Sequence, residues 1–498
     1  MSLKKNIIFN YLGTFWGAIS IYLFLPFYLK FFDKEVFGLV MFATTIQALI
    51  QLLDAGFSSA IKRKLAWRTD DYDNNLEPLS FLRGIERFYL LILVCTVSIT
   101  CILTYIVKIE WFNFKLITKS EVNLCILLMI ILANLQLFIS LYGGGLQARE
   151  KQVSANLLQF FLSLFRNGIV VILIYFFPNP ILFFSWQLLV VLVFVFIYRN
   201  NLLTELMPKK EGVIRYMKIK KNEMILIFNS SLPFFLISIF STINFQIDKI
   251  LVSKLLSISE FGVYGMVFNL AQSSVLLCVP IASAVAPRFV NLYSKGEIEE
   301  ISKIFRIFSK ITTIISITLG CVFFFYFKEI LYLWTNSNEI ASQSESFSLF
   351  MIVSGVFLAG QVIPYNLALA SLSLKPVIYT CFVNIAVTIP LYYLMIQHYG
   401  LEGAGLVWVL SNIFMLLVNV FFYMKTTIPK SYFSWLFIDF IGVGLIAIIV
   451  FISLFKLFFD LFDFNFSPAL IFLLTAISLV INFSIVFNRH ARNIVKLF

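Results

Sequence analysis

The stretch SEFGVYGMVF, Ser259 to Phe268, carries a Phe-Gly pair that follows the same pair in KEVFGLVMF, Lys34 to Phe42, by 224 residues. The same offset takes Lys30 to Lys254, Gly38 to Gly262, Lys151 to Lys375 and Tyr175 to Tyr399 without a gap. One register thus serves over 140 residues, and its matches fall at helix ends and loops. It maps the apolar block 7–198 onto 231–422, so the chain reads as a duplicated six-helix unit. Six is even, so both copies enter a membrane in the same sense. Such copies are related by an axis along the membrane normal, with a substrate path expected at their interface.

Composition requires the membrane. With 60% hydrophobic residues, 13% charged residues and a mean hydropathy of +0.93, the 498 residues leave too little polar surface to cover a water-soluble core. Apolar runs of about 20 residues, the length that crosses hydrocarbon as helix, recur from end to end. The expected fold class is an all-α polytopic membrane protein. Its fourteen transmembrane helices are placed near 7–29, 36–60, 86–108, 122–146, 154–177, 181–198, 230–254, 261–285, 308–327, 346–370, 377–397, 402–423, 435–456 and 467–487. The opening MSLKKN and its apolar run imitate a signal peptide. The run is long, lacks a small-residue cleavage pattern and precedes many more spans, so it reads as an uncleaved first helix. The domains expected are an N-lobe over 1–198, a basic cytoplasmic linker over 199–229, a C-lobe over 230–423, and helices 13 and 14 with a cytoplasmic tail over 424–498.

Lysine and arginine concentrate in the cytoplasmic loops of inserted bundles. Placing both termini in the cytoplasm gives inner segments 28 of the 38 basic residues and outer segments 8; Arg166 and Lys249 fall within spans. The net charge of +12 is thus mostly a topology signal. The basic loops 61–87 and 199–221 need no nucleic acid to explain them, although anionic membrane lipid is a further partner for such loops.

Ionisable residues inside spans are costly and should face a partner or water. In span 5, Asn156, Gln159, Ser163 and Arg166 are spaced 3, 4 and 3 apart, which puts them on one helical face. Arg166 lies about 18 Å along the helix from Ser154, at mid-membrane. In span 7, Ser238, Ser241, Asn244 and Asp248 form a similar stripe with Lys249 adjacent, and the repeat partner in span 1 keeps Thr14, Gly17 and Ser20. Both stripes are expected to line one aqueous cavity. A guanidinium there suits a phosphate or pyrophosphate, because it offers several donors and a permanent charge. The alternatives for Arg166 are a structural ion pair, for instance with Asp248, and simple polar glue. Asp248 and Lys249 lie nearer the outer helix end, where snorkelling competes with function. The basic cluster Lys62, Arg63 and Lys64, with Arg149, would form an electropositive cytoplasmic mouth.

Enzyme chemistry finds little support. His398 and His490 are the only histidines, so histidine metal sites and His-based triads are not expected, and no GxxxxGK[ST] phosphate loop is present. No cofactor or metal is implied. The six cysteines lie inside apolar runs without paired spacing and read as small hydrophobes. The acidic run DDYD, Asp70 to Asp73, shares its loop with Lys62, Arg63, Lys64 and Arg68 and reads as a solvated loop rather than a glycosyltransferase metal site.

Three segments carry a family resemblance: LLDAGFSSAIKRKLA (Leu52 to Ala66), NFQIDKILVSKLLSISEFGVYGMVFNLAQ (Asn244 to Gln272) and YGLEGAGLVWVLSN (Tyr399 to Asn412). In order, spacing and span plan the chain resembles the polysaccharide, or O-antigen, flippases of the multidrug/oligosaccharidyl-lipid/polysaccharide exporter superfamily. The resemblance implies an inner-membrane transporter that moves an undecaprenyl-pyrophosphate-linked oligosaccharide from the cytoplasmic to the periplasmic leaflet by alternating access through a cationic cavity. It also implies coupling to a counter-ion, H+ or Na+, in some members, and it leaves room for a polysaccharide polymerase and chain-length regulator as partners. By motif the aspartate of the IDK segment is Asp248, and the basic cluster ending span 2 is Lys62 to Lys64. No ion-coupling signature transfers. A peptidoglycan-precursor flippase or multidrug exporter of the same superfamily is the alternative, and a membrane glycosyltransferase or polymerase is the rival from the enzyme class.

Overall fold

The computed structural model describes residues 16–17, 20–54, 65, 76–106, 111–112, 114–149, 151–206, 221–371, 374–429, 431–462 and 468–487. Among these, the regular structure is helical. The helices are α1 (Ser20–Phe31), α2 (Lys34–Gln51), α3 (Leu76–Cys101), α4 (Lys119–Ala148), α5 (Gln152–Phe176), α6 (Pro180–Leu206), α7 (Lys221–Leu255), α8 (Ile258–Ala271), α9 (Ser273–Lys295), α10 (Ile298–Thr335), α11 (Asn338–Ala370), α12 (Lys375–Thr427), α13 (Tyr432–Phe459) and α14 (Pro468–Phe487). Twelve stretches among the described residues are long and apolar enough to span a bilayer. Two differences from the expected spans have local causes. Gly400, at φ +57° and ψ −130°, breaks α12 between the stretches expected over 377–397 and 402–423. The span expected over 261–285 is instead α8 and α9, separated at Gln272.

Apolar side chains fill both the core and much of the surface. Phe176, Phe177, Phe196, Tyr379, Phe472 and Val480 are more than 60% exposed. Water would not tolerate so much bare apolar surface, whereas acyl chains do. The protein is a multi-pass helical membrane protein.

The chain divides into two compact units, Met1–Gly262 and Val263–Phe498. In the first unit the helix starts are written locally. Thr118 and Glu121 form a reciprocal capping box at α4: the Glu121 N–H donates to Thr118 Oγ1 (3.3 Å) and the Thr118 N–H to Glu121 Oε2 (3.1 Å). Ser257 and Glu260 repeat the device at α8, with bonds of 2.9 and 3.2 Å. Glu35, in the first turn of α2, accepts from the backbone N–H groups of Lys115, Leu116 and Ile117 at 2.8, 2.8 and 3.3 Å, and so docks the segment that leads into α4. At the other end, Glu86 of α3 accepts from Tyr142 of α4 (2.7 Å) and Arg199 of α6 (2.8 Å) beside a core of Leu82, Tyr89, Leu141 and Leu202.

The two Phe-Gly pairs of the opening stretches meet inside this unit. A β-carbon on Gly38 would lie 2.0 Å from the Ile258 carbonyl oxygen, and one on Gly262 would lie 3.3 Å from Gly38 Cα. Phe42 packs edge-on to Phe261 at 5.8 Å. The glycines therefore permit backbone approach between α2 and the start of α8 that no side chain allows, the small-residue solution to packing in lipid.

In the second unit, the fully buried Asp439 sits in a π-helical stretch of α13, Trp435–Gly442. It accepts from Arg306 Nε (2.7 Å) and Nη2 (3.1 Å), with Lys310 Nζ 3.5 Å away. One carboxylate thus pins α13 to two cations one turn apart on α10. Amide and hydroxyl bonds link the rest: Asn412 to Ser354 at 2.8 Å and Asn384 to Ser411 at 2.8 Å.

Gly38→Ala should lower stability by about 1–3 kcal/mol or more through overpacking, and Gly262→Ala by clearly less, as read from thermal melting of the detergent-solubilised protein. Asp439→Asn should lower the melting temperature by leaving two cations with a neutral partner, whereas Asp439→Asn combined with Arg306→Gln and Lys310→Leu recovers much of the loss.

Candidate functional site

The site is built on an irregularity in α5. Residues Leu164–Ile169 wind as a π-helical turn between α-helical segments. Such a turn carries one residue more than the α-helical ladder accommodates and frees backbone carbonyls, which in lipid must find other donors. They do. Trp186 Nε1 of α6 donates to the Phe165 carbonyl at 3.0 Å, and Tyr28 Oη of α1 donates to the Asn167 carbonyl at 2.6 Å. Asn167 Nδ2 in turn donates to Ser20 Oγ at 3.2 Å. Gly168 lets Phe24 approach: a β-carbon there would stand 2.9 Å from the Phe24 ring.

This clamp presents Arg166 to three glutamines on three other helices. Its Nε donates to Gln187 Oε1 of α6 (3.2 Å), its Nη2 to Gln47 Oε1 of α2 (3.3 Å) and its Nη1 to Gln136 Oε1 of α4 (3.5 Å). Neutral amide oxygens orient a guanidinium without cancelling its charge. Among the described residues no carboxylate pairs with Arg166. A guanidinium has five N–H groups, so among the described residues one on each Nη is left over, and two such donors suit two oxygens of one anion.

Next to Arg166 lies a cavity of about 400 Å³, lined by Gly17, by Gln136, Ile139, Ser140, Gly143, Gly144 and Gln147 of α4, by Ala155, Asn156 and Gln159 of α5, and by Tyr198 of α6. Gln136 belongs to both, since it lines the cavity and bonds Arg166. Ser163 continues the stripe: its Oγ donates to the Gln159 carbonyl (2.9 Å) and stands 3.5 Å from Gln159 Nε2. Asn156, Gln159, Ser163 and Arg166 thus share one face of α5, with the first two on the cavity wall and the last two along its continuation.

The α7 stripe behaves differently. Among the described residues, those lining this cavity come from α4, α5, α6 and Gly17, and none from α7. Some of its polar groups bond to their own helix, as hydrocarbon favours. Asn244 Nδ2 donates to the Phe240 carbonyl (3.0 Å), and Lys249 Nζ donates to the Phe245 carbonyl (2.7 Å) and to Asp248 Oδ2 (3.3 Å). Asp248 is therefore the partner of Lys249, and three glutamines take the place of the Arg166–Asp248 ion pair that the sequence allowed. Ser241 is half-buried on the same helix. Arg149 follows the last residue of α4, two positions beyond Gln147 of the cavity wall. Lys62, Arg63 and Lys64 lie outside the described residues.

The glutamine set was not singled out in the sequence, although α4 carries a signal. Gln136, Ser140, Gly143, Gly144 and Gln147 are spaced 4, 3, 1 and 3 apart, a polar and small stripe on an otherwise apolar helix. Gln187 is a single amide in an apolar run, and Gln47 pairs only with Gln51 at the end of α2.

The described residues form fourteen helices, with a half-buried cation held by amides beside an amide-lined cavity, and solved structures of similar fold include transporters. The lipid II flippase MurJ, in an inward closed conformation, superposes with a TM-score of 0.69 at 14% identity, covering 97% of this chain and 99% of that one. An inward-facing multidrug resistance MATE transporter of the MOP superfamily gives 0.65 at 16% identity, covering 84% and 94%. A MOP-superfamily transporter from Pyrococcus furiosus, described as having a binding pocket of reverse polarity, gives 0.55 at 16% identity, covering 85% and 96%. These likenesses establish the MOP transporter fold. Residues 3–293, more than half of the chain, match the family described as polysaccharide biosynthesis protein, and the chain belongs to that family. Residues 233–394 also match the MatE family. Comparison with curated proteins gives no match.

Because Gln187 accepts from Arg166 Nε, Gln187→Leu should cost about 1–3 kcal/mol by leaving a buried charged donor unpaired. Gln187→Glu should keep or raise the melting temperature, because the new carboxylate neutralises the guanidinium. Thermal melting of the purified variants in detergent checks both.

Proposed function

We propose that this protein is a flippase for polysaccharide repeat units linked to undecaprenyl pyrophosphate, carrying the head group from the cytoplasmic to the periplasmic leaflet of the bacterial inner membrane. The observation that carries this reading is Arg166, a guanidinium inside the helical bundle held by three neutral amides with a donor to spare on each Nη. A structural arginine in lipid is expected to be neutralised by a carboxylate, whereas one kept charged awaits an anionic ligand. Family membership supports a polysaccharide precursor. The MOP fold, known in inward-facing and outward-facing conformations, supports alternating access.

In this reading the pyrophosphate binds Arg166 while the polyprenyl tail stays in the bilayer. In the same reading Arg149 and the sequence cluster Lys62, Arg63 and Lys64 form a basic cytoplasmic mouth that raises the local concentration of the anionic head group. The 224-residue repeat supports two like-oriented lobes: adding 224 to α2, 34–51, gives 258–275, and α8 begins at Ile258. A counter-ion, H+ or Na+, and association with a polymerase and chain-length regulator belong to the same reading.

A lipid II flippase and a multidrug transporter both share this fold. The lipid II flippase spans 97% of this chain and the multidrug transporter 84%, a difference of the order of two helices. Peptidoglycan precursor is the second reading. Deletion of the gene should abolish surface polysaccharide and strand the lipid-linked repeat on the cytoplasmic leaflet while wall growth continues; arrested wall synthesis instead establishes the precursor reading.

Arg166→Ala should fail to complement that deletion despite normal insertion, Arg166→Lys should restore partial activity, and Gln187→Glu should be stable but inactive because its carboxylate occupies the anion's place. Full complementation by Arg166→Ala removes the phosphate role from this residue.

A further inference from the structure

Three features of the cavity beside Arg166 bear on what sits next to the anion. Among the described residues its lining contains no acidic or basic side chain: the polar groups include the amides of Gln136, Gln147, Asn156 and Gln159 and the Ser140 hydroxyl. Its α4 wall is flattened by Gly143 and Gly144, and its 400 Å³ lies in the range of about 300–1,000 Å³ of small-molecule sites. Ser140 and Gln147, about two helical turns apart, are exposed although α4 is among the most apolar helices of the chain. Exposed neutral donors and acceptors on a hydrophobic helix serve little purpose toward lipid.

The cation is also one-sided. The repeat offset carries Arg166 to Pro390, Gln136 to Gly360 and Gln47 to Ala271, so the second copy has neither the guanidinium nor these two of its holders. Anion and neutral recognition are therefore concentrated in the first unit, and Gln136 joins them through its bond to Arg166 Nη1 and its place on the cavity wall.

Resting on the phosphate reading of Arg166, we infer that the amide-lined cavity is a subsite for an uncharged sugar ring, the one directly attached to the pyrophosphate. Each ring hydroxyl both donates and accepts, as do primary amides and serine, so the lining can satisfy a polyol in any of several orientations. A carboxylate-bearing sugar would be desolvated there without a countercharge. The first sugar of the carried unit is therefore neutral, and acidic sugars, where the glycan has them, lie further from the lipid.

The test uses the full-length protein in lipid nanodiscs and two probes: undecaprenyl pyrophosphate without sugar, and lipid-linked oligosaccharide extracted from the host lacking the gene. Native mass spectrometry or fluorescence titration gives both affinities. The wild type should bind the sugar-bearing lipid about ten-fold more tightly than the bare one, the gain of a few net hydrogen bonds. Ser140→Leu and Gln147→Leu should each bring the ratio towards one while leaving the bare-lipid affinity within about two-fold, and Ser140→Thr and Gln147→Asn should restore part of the preference. A wild-type ratio near one, or leucine variants that keep the wild-type ratio, overturns the sugar subsite. Arg166→Ala should weaken both probes by the same factor; unchanged affinity for bare undecaprenyl pyrophosphate instead overturns the phosphate reading. The two failures are thus separable.

Discussion

Hydrocarbon offers no hydrogen bonds, and the architecture around α5 follows from that constraint. A π-helical turn at Leu164–Ile169 would strand carbonyl oxygens in lipid if α5 stood alone. The turn persists because Trp186 and Tyr28 supply donors from α6 and α1, and because Gly168 admits Phe24. The irregularity is therefore a property of several helices acting together. It is also what directs Arg166 toward Gln47, Gln136 and Gln187, so the placement of the charge and the satisfaction of the backbone are solved by the same packing.

The two units handle buried charge differently. In the second, Arg306 and Lys310 are met by the fully buried Asp439, and the result ties α13 to α10. In the first, Lys249 lies against Asp248 within one helix, while Arg166 is met by amides. Paired charges in a low dielectric are locked, because separating them exposes both to desolvation. A charge held by amides is different: an anion can approach it without first displacing a carboxylate. That contrast is the physical basis for proposing a transport role for Arg166, while Asp439 ties helices together.

Much of the fold was legible in the chain because the membrane enforces a simple code. Apolar length sets the spans, and the expected helices 122–146, 154–177 and 467–487 fall within a few residues of Lys119–Ala148, Gln152–Phe176 and Pro468–Phe487. The Phe-Gly repeat was also readable, though its purpose was not: only the structure brings Gly38 against Ile258 and Gly262. The face shared by Asn156, Gln159, Ser163 and Arg166 came from helical spacing. The α7 stripe had similar spacing, yet Asn244 and Lys249 bond carbonyls of their own helix, an outcome periodicity alone does not distinguish from lining a cavity.

Sequence by itself thus determined the solvent and the helices and pointed to Arg166 as a cation within a span, since hydropathy, helix period and the cost of burying charge are properties of a segment. Tertiary structure alone decided what surrounds that cation. Gln47, Gln136 and Gln187 are separated by up to 140 residues and converge only when α2, α4 and α6 pack about α5. Whether a buried guanidinium is neutralised or left charged depends on which partners arrive within about 3.5 Å, and no pattern along one helix encodes that distance.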